Sequence, residues 1–156
     1  MGAPLDLLRR VDLFKQVQQP DLEALAGRFQ PRTFGAGSPV ASVGSGGLGF
    51  YVIAHGDAAV YVHGELRRRL HRADVFGEIA LIDGGRRSAE VLAETDLECF
   101  AISIKELRPF VKTHAEVAWA LLEDLARKLR EADAAAKAPA RPAGAAPAWR
   151  TRWRRR

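Results

Sequence analysis

The whole chain contains a single cysteine, Cys99, so no intramolecular disulfide is available to staple it. That fits a reducing compartment. Cys99 falls in an alternating apolar run and reads as a small buried hydrophobe. No apolar run approaches the roughly 20 residues of a membrane-spanning helix. The start, Met1-Gly2-Ala3-Pro4, lacks the basic-then-apolar order of a signal peptide. A cytoplasmic location is expected. Acids are absent from residues 137–156, which carry seven basic residues: Lys137, Arg141, Arg150, Arg152, Arg154, Arg155 and Arg156. The chain has 24 basic and 19 acidic residues, a net charge of +5; without those seven, 17 basic face 19 acidic. The basicity belongs to the tail, and gives no ground for nucleic-acid binding by the rest.

The usual catalytic signatures are also missing. His55, His63 and His71 recur every eight residues near strand ends or turns. A metal site inside a barrel needs two imidazoles pointing the same way from one strand, hence a His-x-His pair, and there is none. The glycine-rich stretch from Gly44 to Gly49 lacks the Gly-Lys-Ser/Thr of a phosphate loop and reads as a hairpin loop. No Ser, His and Asp lie at suggestive spacing. We expect no enzyme, no metal and no cofactor.

What is present fits one domain of 156 residues, 47% hydrophobic. Residues 4–17 read as a helix with Pro4 at its first position and Leu5, Leu8, Val11 and Phe14 near one face. Pro20-Asp21 opens a second helix over 21–29. Residues 30–102 change character: glycines punctuate the short apolar runs Pro39-Val43, Phe50-Ala54, Ala58-Val62, Leu66-Leu70, Ala89-Ala93 and Leu97-Ala101. That pattern predicts an antiparallel sandwich or barrel, mainly β with flanking helices. Arg67-Arg68-Arg69 reads as a solvated run. Ser103 with Glu106 three residues on forms a capping box, opening a helix over 103–111. Residues 114–136 form the clearest helix, with Ala118, Leu122, Leu125, Leu129, Ala132 and Ala136 in a seam of about 3.5 residues per turn.

The stretch Val75 to Val91 organises the rest. Phe76-Gly77-Glu78 puts a permissive backbone beside one carboxylate, Ile79 to Ile82 is an apolar turn of helix, and Gly84-Gly85-Arg86-Arg87-Ser88-Ala89 carries two guanidinium groups and a hydroxyl. A short helix starting near Glu78 offers free N–H groups to an anion, and arginine offers a planar fork matched to phosphate oxygens. Glu78 would repel that phosphate, so it makes sense as the acceptor for a neutral donor beside it. A ribose phosphate with a free 2′-hydroxyl carries both groups.

Phe76 through Ala89 closely resembles the phosphate-binding cassette of cyclic nucleotide-binding domains. The resemblance covers about residues 5–136 and implies an eight-stranded antiparallel jelly-roll barrel with a C-terminal lid helix. It implies that Glu78 accepts from the ribose 2′-hydroxyl and that Arg87 pairs with the exocyclic phosphate oxygens. Gly77, Ala80 and Ala89 would lend backbone N–H groups, Ser88 would touch the phosphate, and Phe76 and Ile79 complete the cassette. The implied ligand is cyclic AMP, favoured over cyclic GMP by Ser88 in place of threonine. Ala132 and Asp133 depart from the hydroxyl residues that contact adenine in the bacterial activators, which leaves base preference open. In those activators the helix corresponding to 114–136 also forms the dimer interface, so a homodimer through it stands beside simple packing on the barrel.

After Ala136 the Ala/Pro-rich linker builds no core. The tail Trp149 to Arg156, two tryptophans among five arginines, suits nucleic acid or an anionic membrane, or is simply solvated. The expectation is a stand-alone cyclic nucleotide sensor acting on an unidentified effector protein. The alternatives are a cassette-bearing scaffold that no longer binds nucleotide, and an adaptor working through its tail.

Overall fold

The computed structural model describes residues 2–41, 49–83 and 89–137. The expected loop at 44–48, the tail 138–156 and the cassette positions Gly84, Gly85, Arg86, Arg87 and Ser88 lie outside the described residues.

The N-terminal segment is not one helix over 4–17. It is α1 (Leu5–Arg10), capped by Pro4, followed by a 3-10 turn at Asp12–Phe14. The break sits at Val11, whose backbone is extended. In a continuous helix Leu8 and Leu13 would point about 140° apart. Breaking at Val11 lets Leu7, Leu8, Val11, Leu13 and Phe14 all enter the core. The second helix, α2, runs Gln19–Ala26, shorter at its C-terminus than the expected 21–29, and Phe29 is buried beyond it.

Among the described residues eight strands follow: β1 (Gln30–Phe34), β2 (Pro39–Ala41), β3 (Gly49–His55), β4 (Ala58–Val62), β5 (Glu65–Leu70), β6 (Val75–Phe76), β7 (Glu90–Ala93) and β8 (Leu97–Ser103). They form two antiparallel four-stranded sheets, in the orders β1-β8-β3-β6 and β2-β7-β4-β5. The strand number is as expected, but the barrel is open: no ladder joins the two sheets among the described residues. Two of the four edge strands are short, three residues in β2 and two in β6. The sheets are joined by packing instead. Ile53, Phe76, Leu97 and Cys99 from one meet Ala58, Leu70, Val91 and Ala93 from the other. Burial pushes the Cys99 thiol up to about 12.

Between β6 and β7 lies α3 (Glu78–Asp83); after β8 come α4 (Ile104–Thr113) and α5 (Ala115–Ala136). The expected cap forms at α4: Ser103 Oγ accepts from the Glu106 amide and donates to the Glu106 carboxylate at 2.8 Å. A second core gathers α1, α2, α4 and α5 over one sheet. Phe14 and Phe50 meet there edge to face at 6.1 Å, and Val117 and Leu121 supply the buried face of α5. The predicted seam of α5 therefore splits. Leu125 packs on this core, while Leu122 and Leu129, with Trp119, are exposed.

Candidate functional site

Phe76 ends β6 buried and stacked parallel on Tyr51, ring centroids 4.7 Å apart. The stack anchors the start of the cassette. Gly77 follows at φ 96, which turns the chain from strand into α3 and which a residue with a Cβ adopts only under strain. The turn sends Glu78 inward while Ala80 and Leu81 bury on the same helix. Ile79 and Ile82 are about half exposed. At the other end of α3, Arg108 Nε of α4 donates to the Leu81 carbonyl at 3.1 Å.

A cavity of about 440 Å³ opens above this turn. Phe76, Gly77, Glu78, Ile79, Ala80 and Ala89 all line it, so every expected contact residue that is described borders one space. Its walls are Val60, Val62, Leu66, Leu70 and Val91 from the β2-β7-β4-β5 sheet, and its roof is Lys128, Glu131, Ala132 and Ala135 of α5. The size and apolar walls suit a small ligand oriented by a few polar groups. Of the two positions where the bacterial activators carry adenine-reading hydroxyls, Ala132 lines the cavity and Asp133 is exposed. A second concavity, about 420 Å³, adjoins it and shares Arg68, Leu70, Val75 and Lys128, but no residue from Phe76 to Ala80 reaches it. The residues from Phe76 to Ala80 line only the first of the two.

Glu78 is the one charged residue buried among the described residues, at 6% exposure. Its Oε1 accepts from Lys128 Nζ. The same ammonium lies 2.6 Å from Asp124 Oδ2, an otherwise buried oxygen that it approaches as an ion pair and not along a hydrogen-bond direction. Nearer the mouth, Arg68 of β5 donates to Glu131 of α5 at 3.3 Å. Arg67 and Arg68 thus line the cavity with side chains only about a third exposed, where a solvated run was expected; only Arg69 turns away, to Glu94. Lys128, Asp124, Glu131 and Arg68 are the residues that sequence reading missed. The i,i+4 pair Asp124–Lys128 was a legible signal; its partner 50 residues earlier was not.

The three histidines stay apart. His55 and His63 are exposed, and His71 Nδ1 meets Asp57 at 2.7 Å. Among the described residues no group of three or more metal-binding side chains comes together, and no helix is long and apolar enough to cross a membrane.

Comparisons with known proteins agree with this geometry. The chain is 31% identical over 126 residues to the cyclic AMP receptor protein of Thermus thermophilus, covering 78% of this chain and 58% of that protein. It is 35% identical over 94 residues to the cAMP-dependent protein kinase regulatory subunit of Eremothecium gossypii, covering 60% of this chain but 20% of that one. The chain thus spans little more than half the length of the first relative and a fifth of the second. Among solved structures, the Thermus thermophilus catabolite activator protein superposes with a TM-score of 0.68 at 31% identity, over 78% of this chain and 60% of that one. A cAMP-bound PfPKA-R structure reaches 0.78 at 17% identity, over 85% of this chain and 46% of that one, which bears on the fold alone. The family profile described as "Cyclic nucleotide-binding domain" matches residues 31–114, more than half of the chain, and the chain belongs to that family.

Proposed function

We propose that this chain is a sensor that binds a cyclic nucleotide reversibly, cyclic AMP before cyclic GMP, and passes occupancy to an effector protein through α5. One observation carries the reading: Glu78 lies at the floor of a cavity that Phe76, Gly77, Ile79, Ala80 and Ala89 also line and that α5 roofs. A carboxylate there accepts from a ribose hydroxyl. Arg87 and Ser88, which precede Ala89 in the sequence, are assigned the phosphate. The names of the relatives, a cyclic AMP receptor protein and a cAMP-dependent kinase regulatory subunit, support cyclic AMP as the ligand. No chemical step is assigned.

Ligand shifts a balance between arrangements of α3 and α5 only by its difference in affinity for them. The half-exposed Ile79 and Ile82 are the apolar surface that gains from repacking. Trp119, Leu122 and Leu129 form an outward stripe on α5, which supports a homodimer through that helix.

Calorimetric titration with cyclic AMP and cyclic GMP tests the reading. At about 100 times its Kd, cyclic AMP should add roughly 2.7 kcal/mol of stability. Arg87→Ala should lose a charge-assisted contact of about 1.5–3 kcal/mol, or roughly 10- to 150-fold in Kd, with the fold intact. No heat and no thermal shift with either nucleotide would refute the sensor and leave a scaffold.

A further inference from the structure

Glu78 is buried, yet the site needs its carboxylate open. Its side chain is 8% exposed, so an incoming hydroxyl finds it covered. What covers it on the cavity side is Lys128, reaching down from α5. Lys128 stands between two carboxylates: Glu78 on the cassette, and Asp124 one turn earlier on its own helix, 2.6 Å away.

We propose that Lys128 is an internal competitor for Glu78: its ammonium and the ligand's 2′-hydroxyl take the same carboxylate and exclude each other. This rests on the reading of the cavity as a ribose site. Glu78 is the group that stays. It opens α3, whose Ala80 and Leu81 are buried and whose last turn is held by Arg108. Lys128 is the group that moves, because its head rides on a flexible four-carbon stem. It also has somewhere to go. Swinging wholly to Asp124 keeps the ammonium paired, while the hydroxyl takes its place on Glu78. The ammonium is not left unpaired, and Glu78, which gives up its counter-ion, keeps a donor in the hydroxyl. The exchange cuts a tie between the cassette and α5. A ligand without the 2′-hydroxyl can fill the cavity but has nothing with which to displace the ammonium.

The test is to titrate the wild type and Lys128→Met with cyclic AMP and with 2′-deoxy cyclic AMP. Lys128→Met should tighten cyclic AMP about tenfold, or about 1.4 kcal/mol, and leave the 2′-deoxy ligand within about twofold. Unchanged or weaker cyclic AMP binding would overturn the exchange, and so would an equal gain for both ligands. Should Lys128→Met lose its folded circular dichroism spectrum, Asp124→Asn tests the same idea in reverse. Without its second carboxylate the ammonium holds Glu78 harder, so cyclic AMP should weaken severalfold and the 2′-deoxy ligand should not; no difference between the two ligands overturns it. A wild type that binds neither ligand sinks the ribose-site reading itself, and this inference with it. A wild type that binds cyclic AMP without these shifts sinks only the exchange.

Discussion

Gly77→Ala isolates the backbone turn on which the site is built. Gly77 sits at φ 96, beyond the small left-handed region that side chains tolerate. Adding a Cβ there should cost about 1–3 kcal/mol. Where that cost appears depends on whether the turn holds. If the buried Phe76 and Ala80 on either side hold it, the whole strain falls on stability. The melting point then drops by about 2–4 °C per kcal/mol for a chain of this size, so about 2–12 °C in all. If the turn relaxes, the protein melts normally, but nucleotide must restore the strained turn on binding, and Kd rises about 5- to 150-fold. Between the two readouts the cost must be found. Gly27→Ala is the control. Gly27 lies at φ −63, and a Cβ there would meet nothing nearer than the Ala24 carbonyl oxygen at 3.7 Å. It should be neutral or add about 0.4–1 kcal/mol. Thermal unfolding with and without cyclic AMP, with calorimetry at one temperature, measures both terms. Gly77→Ala with the melting point and the affinity of the wild type would refute the reasoning.

Three further outcomes are expected. Burial pushes the His114 imidazole down, but the Asp21 carboxylate, the Phe110 carbonyl and Glu116 outweigh it, so its pKa is raised above 6.5. Its contribution is therefore full below the unfolded value and lost as pH climbs through the raised one. The melting-point gap between wild type and His114→Gln should be wider at about pH 5.5 than at about pH 8.5, and a gap independent of pH would contradict this. If α5 forms a dimer, Leu122→Glu with Leu129→Glu should weaken it at least about a hundredfold in sedimentation, since each leucine buried is worth about 1.5–3 kcal/mol; a wild type that is monomeric at every concentration removes the dimer. Cys99, buried and raised to about 12, should resist thiol reagents in the native protein and react on unfolding.

Much of this molecule was legible because the signals were local. Phe76 to Ala80 could be placed because a strand end, a glycine and the first turn of a helix follow one another within five residues. Ser103 and Glu106 fixed the start of α4 for the same reason. The strands of residues 50–70 and 90–101 followed from alternation and turn residues. What stayed hidden depends on contacts distant in sequence. Val11 breaks a helix whose periodicity looked continuous, because Leu13 can be buried only if the axis bends. Leu122 and Leu129 looked like core on spacing, yet Val117 and Leu121 claimed the packed face. Arg68 looked solvated, and Lys128 drew no reading at all, until folding set them opposite Glu131 and Glu78.

The last helix is 22 residues long, but its fully buried side chains end at Leu121. The remaining fifteen residues, Leu122 to Ala136, extend about 22 Å past that pivot at 1.5 Å per residue. A tilt of about 10° at the root would sweep the far end, at Ala136, through about 4 Å. The long arm makes a displacement too slight to disturb the core large enough for another molecule to feel.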